Sequence, residues 1–173
     1  MRKLTHEEIV ARQVKKMGHK RLPFCVVLDN IRSLHNVGAI FRTADAVGVE
    51  KLWLCGATGY PPQGGIAKTA LGAQDHVPWE YHADALSVIR RLRSQGYQIV
   101  LLEQMQGSIP HDKFIPKPPV CLVVGNEVTG LGDGLVCACD AAIEIDMAGV
   151  KNSLNAAVAF GVAAYQIRCK IKG

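Results

Sequence analysis

Val120-Cys121-Leu122-Val123-Val124 runs without a break into Gly125-Asn126-Glu127-Val128-Thr129-Gly130-Leu131. Five apolar residues, three of them valine, have the length and composition of a strand buried on both faces. The Gly, Asn and Thr that follow end the strand and favour a tight turn. A glycine turn after a strand also lets backbone N–H groups face a ligand without side-chain obstruction. Glu127 is the only charge between Pro118 and Gly132. It is expected either to pair with Arg42 or to hold a substrate hydroxyl, with an ordinary turn as the alternative. The turn lacks the Gly-Lys-Ser/Thr ending of a phosphate-binding loop. The chain also has no Gly-x-Gly-x-x-Gly run, which argues against an enzyme using a dinucleotide cofactor.

Working outward, the same strand-then-turn pattern recurs. Residues 24–28, 52–55, 77–81, 98–102 and 142–145 read as further strands. Helical patterns cover 36–47, stopped by Gly48, then 83–94, stopped by Gly96, and 153–170. Residues 56–75 read as a long loop with one helical turn near Ile66 to Leu71, and 109–119 as a Pro-rich connector. Strands alternating with helices predict an α/β fold, a mainly parallel sheet covered by helices on both faces. Ligands of such sheets sit beyond the carboxyl ends of the strands. Three polar segments fall there, after Leu28, Val124 and Ile145.

In the first of these, Asn36 stands where a helix is expected to begin and is read as its cap. Gly38 permits close backbone approach. Arg42 lies among small and apolar neighbours and needs an anionic partner, either a ligand or Asp45 three residues on. Arg32 and His35 add polar groups to the same loop. In the third, Gly149 bends the chain and Ser153 is read as the cap of the last helix, with Asn155 pointing from its first turn. That helix is apolar nearly all round, so it is expected to be buried on more than one side, in the core and across a subunit interface.

At 173 residues, with 49% hydrophobic and 20% charged residues, the chain has the composition of a folded domain. No apolar run approaches the roughly 20 residues that span a bilayer. The N-terminus has no apolar core of a signal peptide. The six cysteines sit mostly in strand-like runs and read as buried thiols of a reduced, cytoplasmic protein, with no metal site. The net charge of +5 is concentrated at one end: residues 1–21 hold seven Lys/Arg against Glu7 and Glu8, and the rest is balanced. Thr5 and Glu8 have capping-box spacing, so 5–17 is expected to be helical. The chain thus divides into a basic helical arm, 1–22, and a main domain, 23–173. A basic arm on a neutral body suits a polyanion.

The three segments together resemble the SpoU, or TrmH-like, RNA ribose methyltransferases of the SPOUT class, over about Phe24 to Arg168. Asn36 and Arg42 match the first motif, Gly125, Glu127, Gly130 and Leu131 the second, and Ser153-Leu154-Asn155 the third. The resemblance implies a SPOUT-type domain with a C-terminal trefoil knot that binds S-adenosylmethionine and works as a homodimer. It implies methylation of a ribose 2′-hydroxyl in RNA, with tRNA favoured over rRNA and without metal. Cofactor contacts would come from Leu102, Glu103, Gly125, Asn126, Gly130, Ile145, Met147 and Leu154. Asn36, Arg42, Glu127, Ser153 and Asn155 would form the catalytic set, with Arg42 acting in the partner's site or its own. Asp146 stands where many relatives have Pro, beside the cofactor. Many relatives also carry an N-terminal RNA-binding domain; here the arm and Arg90, Arg91 and Arg93 would supply RNA affinity. The alternative is a non-catalytic RNA-binding or assembly protein on the same fold.

Overall fold

The computed structural model of the chain describes residues 1–14, 20–126 and 130–172. Seven parallel strands form one sheet. In chain order they are β1 (Phe24–Asp29), β2 (Leu52–Cys55), β3 (Trp79–His82), β4 (Gln98–Leu102), β5 (Ile109–Pro110), β6 (Val120–Val124) and β7 (Ala141–Glu144). They lie side by side as β3-β2-β1-β6-β4-β7-β5, and every described pairing is parallel. The expected parallel α/β fold is therefore what this chain adopts. The central strands β1 and β6 are buried at every position, which is why they read as unbroken apolar runs.

Helices cover both faces. On one, α2 (Leu34–Val47), α3 (Gly64–Ala70) and α6 (Ala156–Lys172) pack on Val26, Leu28, Leu54 and Leu122. On the other, α4 (Ala85–Ser94) and α5 (Asp133–Cys137) pack on Val27, Trp53, Leu101 and Val123. The two sets alternate along each strand, as a period of two requires.

The N-terminal helix α1 (His6–Val14) has no buried residue. Its capping box forms as the spacing predicts. Glu8 N–H donates to Thr5 Oγ1 at 3.2 Å, and Thr5 N–H donates to the Glu8 carboxylate at 2.8 Å. Arg2 joins the same carboxylate, and together these contacts pull its pKa down to about 2. The expected extension of this helix through Lys15 and Lys16 to residue 17 lies outside the described residues.

Several elements differ from expectation. In the segment 56–75 the helical turn expected near Ile66 to Leu71 is a longer helix, α3, that begins two residues earlier at the glycine pair and sits close to α2. Gly38 is the contact point: a Cβ there would run into Thr69 Oγ1 and the carbonyl of Ile66. Its missing side chain serves helix packing and not a ligand. The 109–119 connector contains β5, a two-residue edge strand too short to leave a periodic signal. The helix α5 is similarly short. The third strand is Trp79–His82, shifted from 77–81.

Candidate active site

The carboxyl ends of β4, β6 and β7 open onto a cleft. Its walls include Leu102, Glu103 and Gln104 at the end of β4, Val124, Gly125 and Asn126 at the end of β6, and Glu144, Ile145 and Met147 at the end of β7. The start of the last helix closes it with Ser153, Leu154, Ala156 and Ala159. Seven of the eight residues expected at a cofactor site thus line one cleft. The eighth, Gly130, borders it: its N–H donates to the Asn126 carbonyl at 3.0 Å, and its φ of +64° suits glycine. Gly125 is seated against Leu131, whose Cγ would lie 2.7 Å from a Cβ added at that glycine.

The walls are cross-tied. Gln104 Nε2 donates to the Asn152 carbonyl at 2.8 Å, joining the loop after β4 to the loop before α6. Asn126 Nδ2 donates to the Asn30 carbonyl at 3.0 Å, joining the turn after β6 to the loop after β1. Asn30 has φ of +58°, a left-handed conformation that asparagine tolerates better than most residues. Its side-chain oxygen accepts from Ala57 N–H at 2.9 Å. Gln104, Glu144 and Asn30 were not singled out in the sequence. Asn30 carried the only usable signal, an asparagine directly after an apolar strand.

Two helix caps differ from expectation. Ser33, not Asn36, caps α2: its Oγ accepts from Asn36 N–H at 3.3 Å. Asn155, not Ser153, caps α6: its Oδ1 accepts from Ala157 N–H at 3.0 Å and from Val158 N–H at 3.4 Å. Both helices satisfy their first-turn donors, but with a different residue of each motif. This frees the Asn36 carboxamide to accept from Asn155 Nδ2 at 3.0 Å, across 119 residues of sequence. Ser153 instead lines the cleft.

Arg42 is placed apart from these groups. It is exposed on α2, six residues beyond Asn36, which at about 100° per residue turns it roughly 120° away. It makes no ion pair with Asp45, which pairs with Arg21 at 3.5 Å. Among the described residues nothing bonds to Arg42. The expected role of Glu127 lies outside the described residues. Asp146 is exposed and is not part of the cleft wall, whereas its neighbours Ile145 and Met147 are.

Arg32 and His35, in the segment leading to Asn36, and Lys151, next to the Asn152 that bonds Gln104, are exposed. Among the described residues no cluster of His, Cys, Asp or Glu is placed to hold a metal ion, and no helix is long and apolar enough to cross a membrane.

The sequence profile of the SpoU rRNA methylase family matches residues 23–165, which span the whole sheet, the cleft and most of α6. The chain belongs to the SpoU family. A tRNA (guanosine(18)-2′-O)-methyltransferase of Aquifex aeolicus is 31% identical over 170 residues, covering 96% of this chain and 78% of that protein. The crystal structure of an A. aeolicus TrmH/SpoU tRNA modifying enzyme superposes with a TM-score of 0.83 at 29% identity, covering 95% of this chain and 85% of that one. An AdoMet-bound rRNA methyltransferase from Sinorhizobium meliloti gives a TM-score of 0.80 at 32% identity, covering 87% of this chain and 58% of that one. Against several other SpoU relatives the chain spans about three fifths of their length.

Proposed function

We propose that this chain methylates a ribose 2′-hydroxyl of structured RNA with S-adenosylmethionine, as a cytoplasmic homodimer. The observation that carries the reading is the cleft beyond β4, β6 and β7, with the bonded pair Asn36 and Asn155 beside it.

The cleft suits the cofactor. Leu102, Ile145, Met147 and Leu154 offer apolar surface to a purine ring, and the turn at Gly125 and Asn126 offers backbone groups for its edges. Glu103 and Glu144 place carboxylates where a ribose hydroxyl, an ammonium or a sulfonium would be held. When bound, S-adenosylmethionine supplies a methyl group on a sulfonium centre, a good leaving group that needs no metal.

The chain's own residues align the acceptor. Asn155 and Asn36 form a rigid polar ledge at the junction of α2 and α6, suited to fixing the acceptor ribose. Ser153 stands beside it at the cleft. Arg42 faces outward, so the partner subunit's Arg42 is the one that completes the site. A guanidinium stays protonated, so its role is to clamp a phosphate next to the reacting hydroxyl and leave that phosphate or water to take the proton. The exposed stripe Val158, Val162 and Tyr165 on α6 supports such a dimer, because the opposite side of that helix already fills the core with Phe160, Ala163 and Ile167.

tRNA is favoured over rRNA as substrate. The relatives named above that this chain matches over more than three quarters of both lengths carry tRNA in their names. The test is titration calorimetry with S-adenosylmethionine, followed by transfer of labelled methyl to bulk tRNA and to rRNA. Binding near one per chain and labelling of tRNA support the reading. A folded protein that binds cofactor neither alone nor with RNA overturns it in favour of a non-catalytic RNA-binding role.

A further inference from the structure

We propose that Tyr60 and Tyr81 form a stacking platform for an unpaired base of the RNA, close to the nucleotide that is methylated, with Arg32 holding the phosphate between them. The proposal rests on the RNA-methylating reading above.

The two rings lie 4.6 Å apart between centroids, and Tyr60 is stacked on Trp79 at 6.3 Å with the ring planes 27° apart. Trp79 is the inner member, packed against the core, whereas Tyr60 and Tyr81 remain 42% and 39% exposed. Three aromatic rings grouped together, two on the edge strand β3 and one in the loop after β2, with two of the three facing solvent, are more than folding alone requires. An exposed aromatic face backed by a second ring is what a base stacks on, whatever its sequence.

Position ties this patch to the site. Tyr60, in the loop after β2, and Tyr81, near the end of β3, lie towards the carboxyl ends of the strands, as the cleft does. Three strand spacings separate β3 from β6, about 14 Å, a span that a short single-stranded stretch of RNA bridges. The connection is through packed and bonded groups. Tyr81 Oη donates to the Gly56 carbonyl at 3.1 Å, and Ala57 N–H donates to Asn30, which in turn anchors Asn126 of the cleft. Gly59 and Gly65, on either side of Tyr60, pack against Leu34 in the first turn of α2, two residues before Asn36.

Charge along this path is of the right sign. Arg32 follows Ile31, whose N–H donates to the buried Thr58 Oγ1 at 3.0 Å, so the base of the Arg32 loop is fixed. Its guanidinium is exposed, with no bond among the described residues. The Arg32 loop follows β1, the strand that stands between β2 and β6 in the sheet, so an RNA reaching from the cleft to the tyrosines crosses it.

The experiment is filter binding and methyl transfer with bulk tRNA and rRNA, comparing the full chain with Tyr60→Ala, Tyr60→Phe and Tyr81→Phe. Tyr60→Ala should raise the RNA Kd and KM on the order of 10- to 100-fold. It should leave S-adenosylmethionine titration and thermal unfolding unchanged. Tyr60→Phe and Tyr81→Phe keep the ring and should bind RNA as the parent does. Arg32→Gln should weaken RNA binding and flatten its salt dependence. Wild-type RNA affinity in Tyr60→Ala overturns the platform, as does a loss that accompanies unfolding or is shared by Tyr60→Phe. Failure of the parent protein to transfer methyl to any RNA is a separate result and counts against the enzymatic reading itself.

Discussion

Asn155 donates its side-chain N–H to the side-chain oxygen of Asn36 at 3.0 Å while its own oxygen caps α6. One carboxamide thus fixes the start of the last helix and ties it to the first turn of α2. Asn155→Ala loses both contacts, whereas Asn36→Ala loses the shared one and leaves the cap of α6 in place. A cap is worth about 1 kcal/mol and the cross-helix bond about as much again. Asn155→Ala is therefore expected to destabilise by roughly 2 kcal/mol in urea unfolding. The double variant should cost less than the two singles combined, by about 1 kcal/mol. Strict additivity would mean that the bond contributes nothing.

Arg42→Ala should abolish methyl transfer and leave cofactor binding intact, because Arg42 lies outside the cleft wall and faces solvent. Mixed dimers test where it acts. Arg42→Ala chains co-assembled with chains whose cleft is blocked by Gly125→Leu should regain activity, since one site then has an open cleft and an intact partner arginine. Continued inactivity of verified mixed dimers would place Arg42 in its own subunit's site.

Gly38→Ala should lower stability by about 1–3 kcal/mol, the usual cost of forcing a methyl into filled space. The added Cβ meets Thr69 and the Ile66 carbonyl, so α3 must move away from α2. In a thermal melt this corresponds to a fall of roughly 3–10 °C. An unchanged melt would mean that α3 yields freely.

Strand order could not be read from the chain, but strand identity could. β1 and β6 are apolar throughout because both faces are covered, and burial writes itself into composition. β5 pairs through only two residues and leaves no such trace. The place of the cleft was legible because polar segments follow Val124 and Ile145 at strand ends, whereas the individual wall residues, Leu154 among them, were named only through the resemblance to the SpoU family. The caps were misread for a physical reason. Ser33 and Asn36 are both good caps three residues apart, as are Ser153 and Asn155 two apart, and local preference cannot choose between them. The choice is made by the contact between Asn36 and Asn155, which no local window contains. The place of Arg42 was similarly hidden, because Asp45, one of its two candidate partners, is taken by Arg21 from the chain's basic end.

Thiol labelling should divide the cysteines by burial. Cys137 and Cys169 are exposed and should react with iodoacetamide at pH 8. Cys25, Cys55 and Cys121 are buried in β1, β2 and β6 and should stay unlabelled in the folded protein. Burial also pushes the Cys55 and Cys139 thiols up to about 12 and raises Cys121 as well, so thiolate is scarce at all three. Rapid modification of Cys121 under native conditions, read by mass spectrometry of the digested protein, would contradict the packing of β6.

Asp29 gives a pH dependence of defined sign. It ends β1 at 8% exposure, and burial raises its pKa, with the Asp84 charge adding to the rise and a hydrogen bond from Asn30 opposing it. A carboxyl whose folded pKa is raised binds its proton more tightly in the native state than in the unfolded chain. Its stabilising contribution is therefore complete below the unfolded value of 3.8 and is lost as pH rises through the folded value. Asp29→Asn removes the charge while keeping the shape. The variant should be more stable than the parent at pH 7 and 8, and the gap should close as pH falls towards 3.8. Urea unfolding of both proteins across that range measures it. A gap that widens on acidification would show that Asp29 is held as a stabilised carboxylate, with Asn30 outweighing burial.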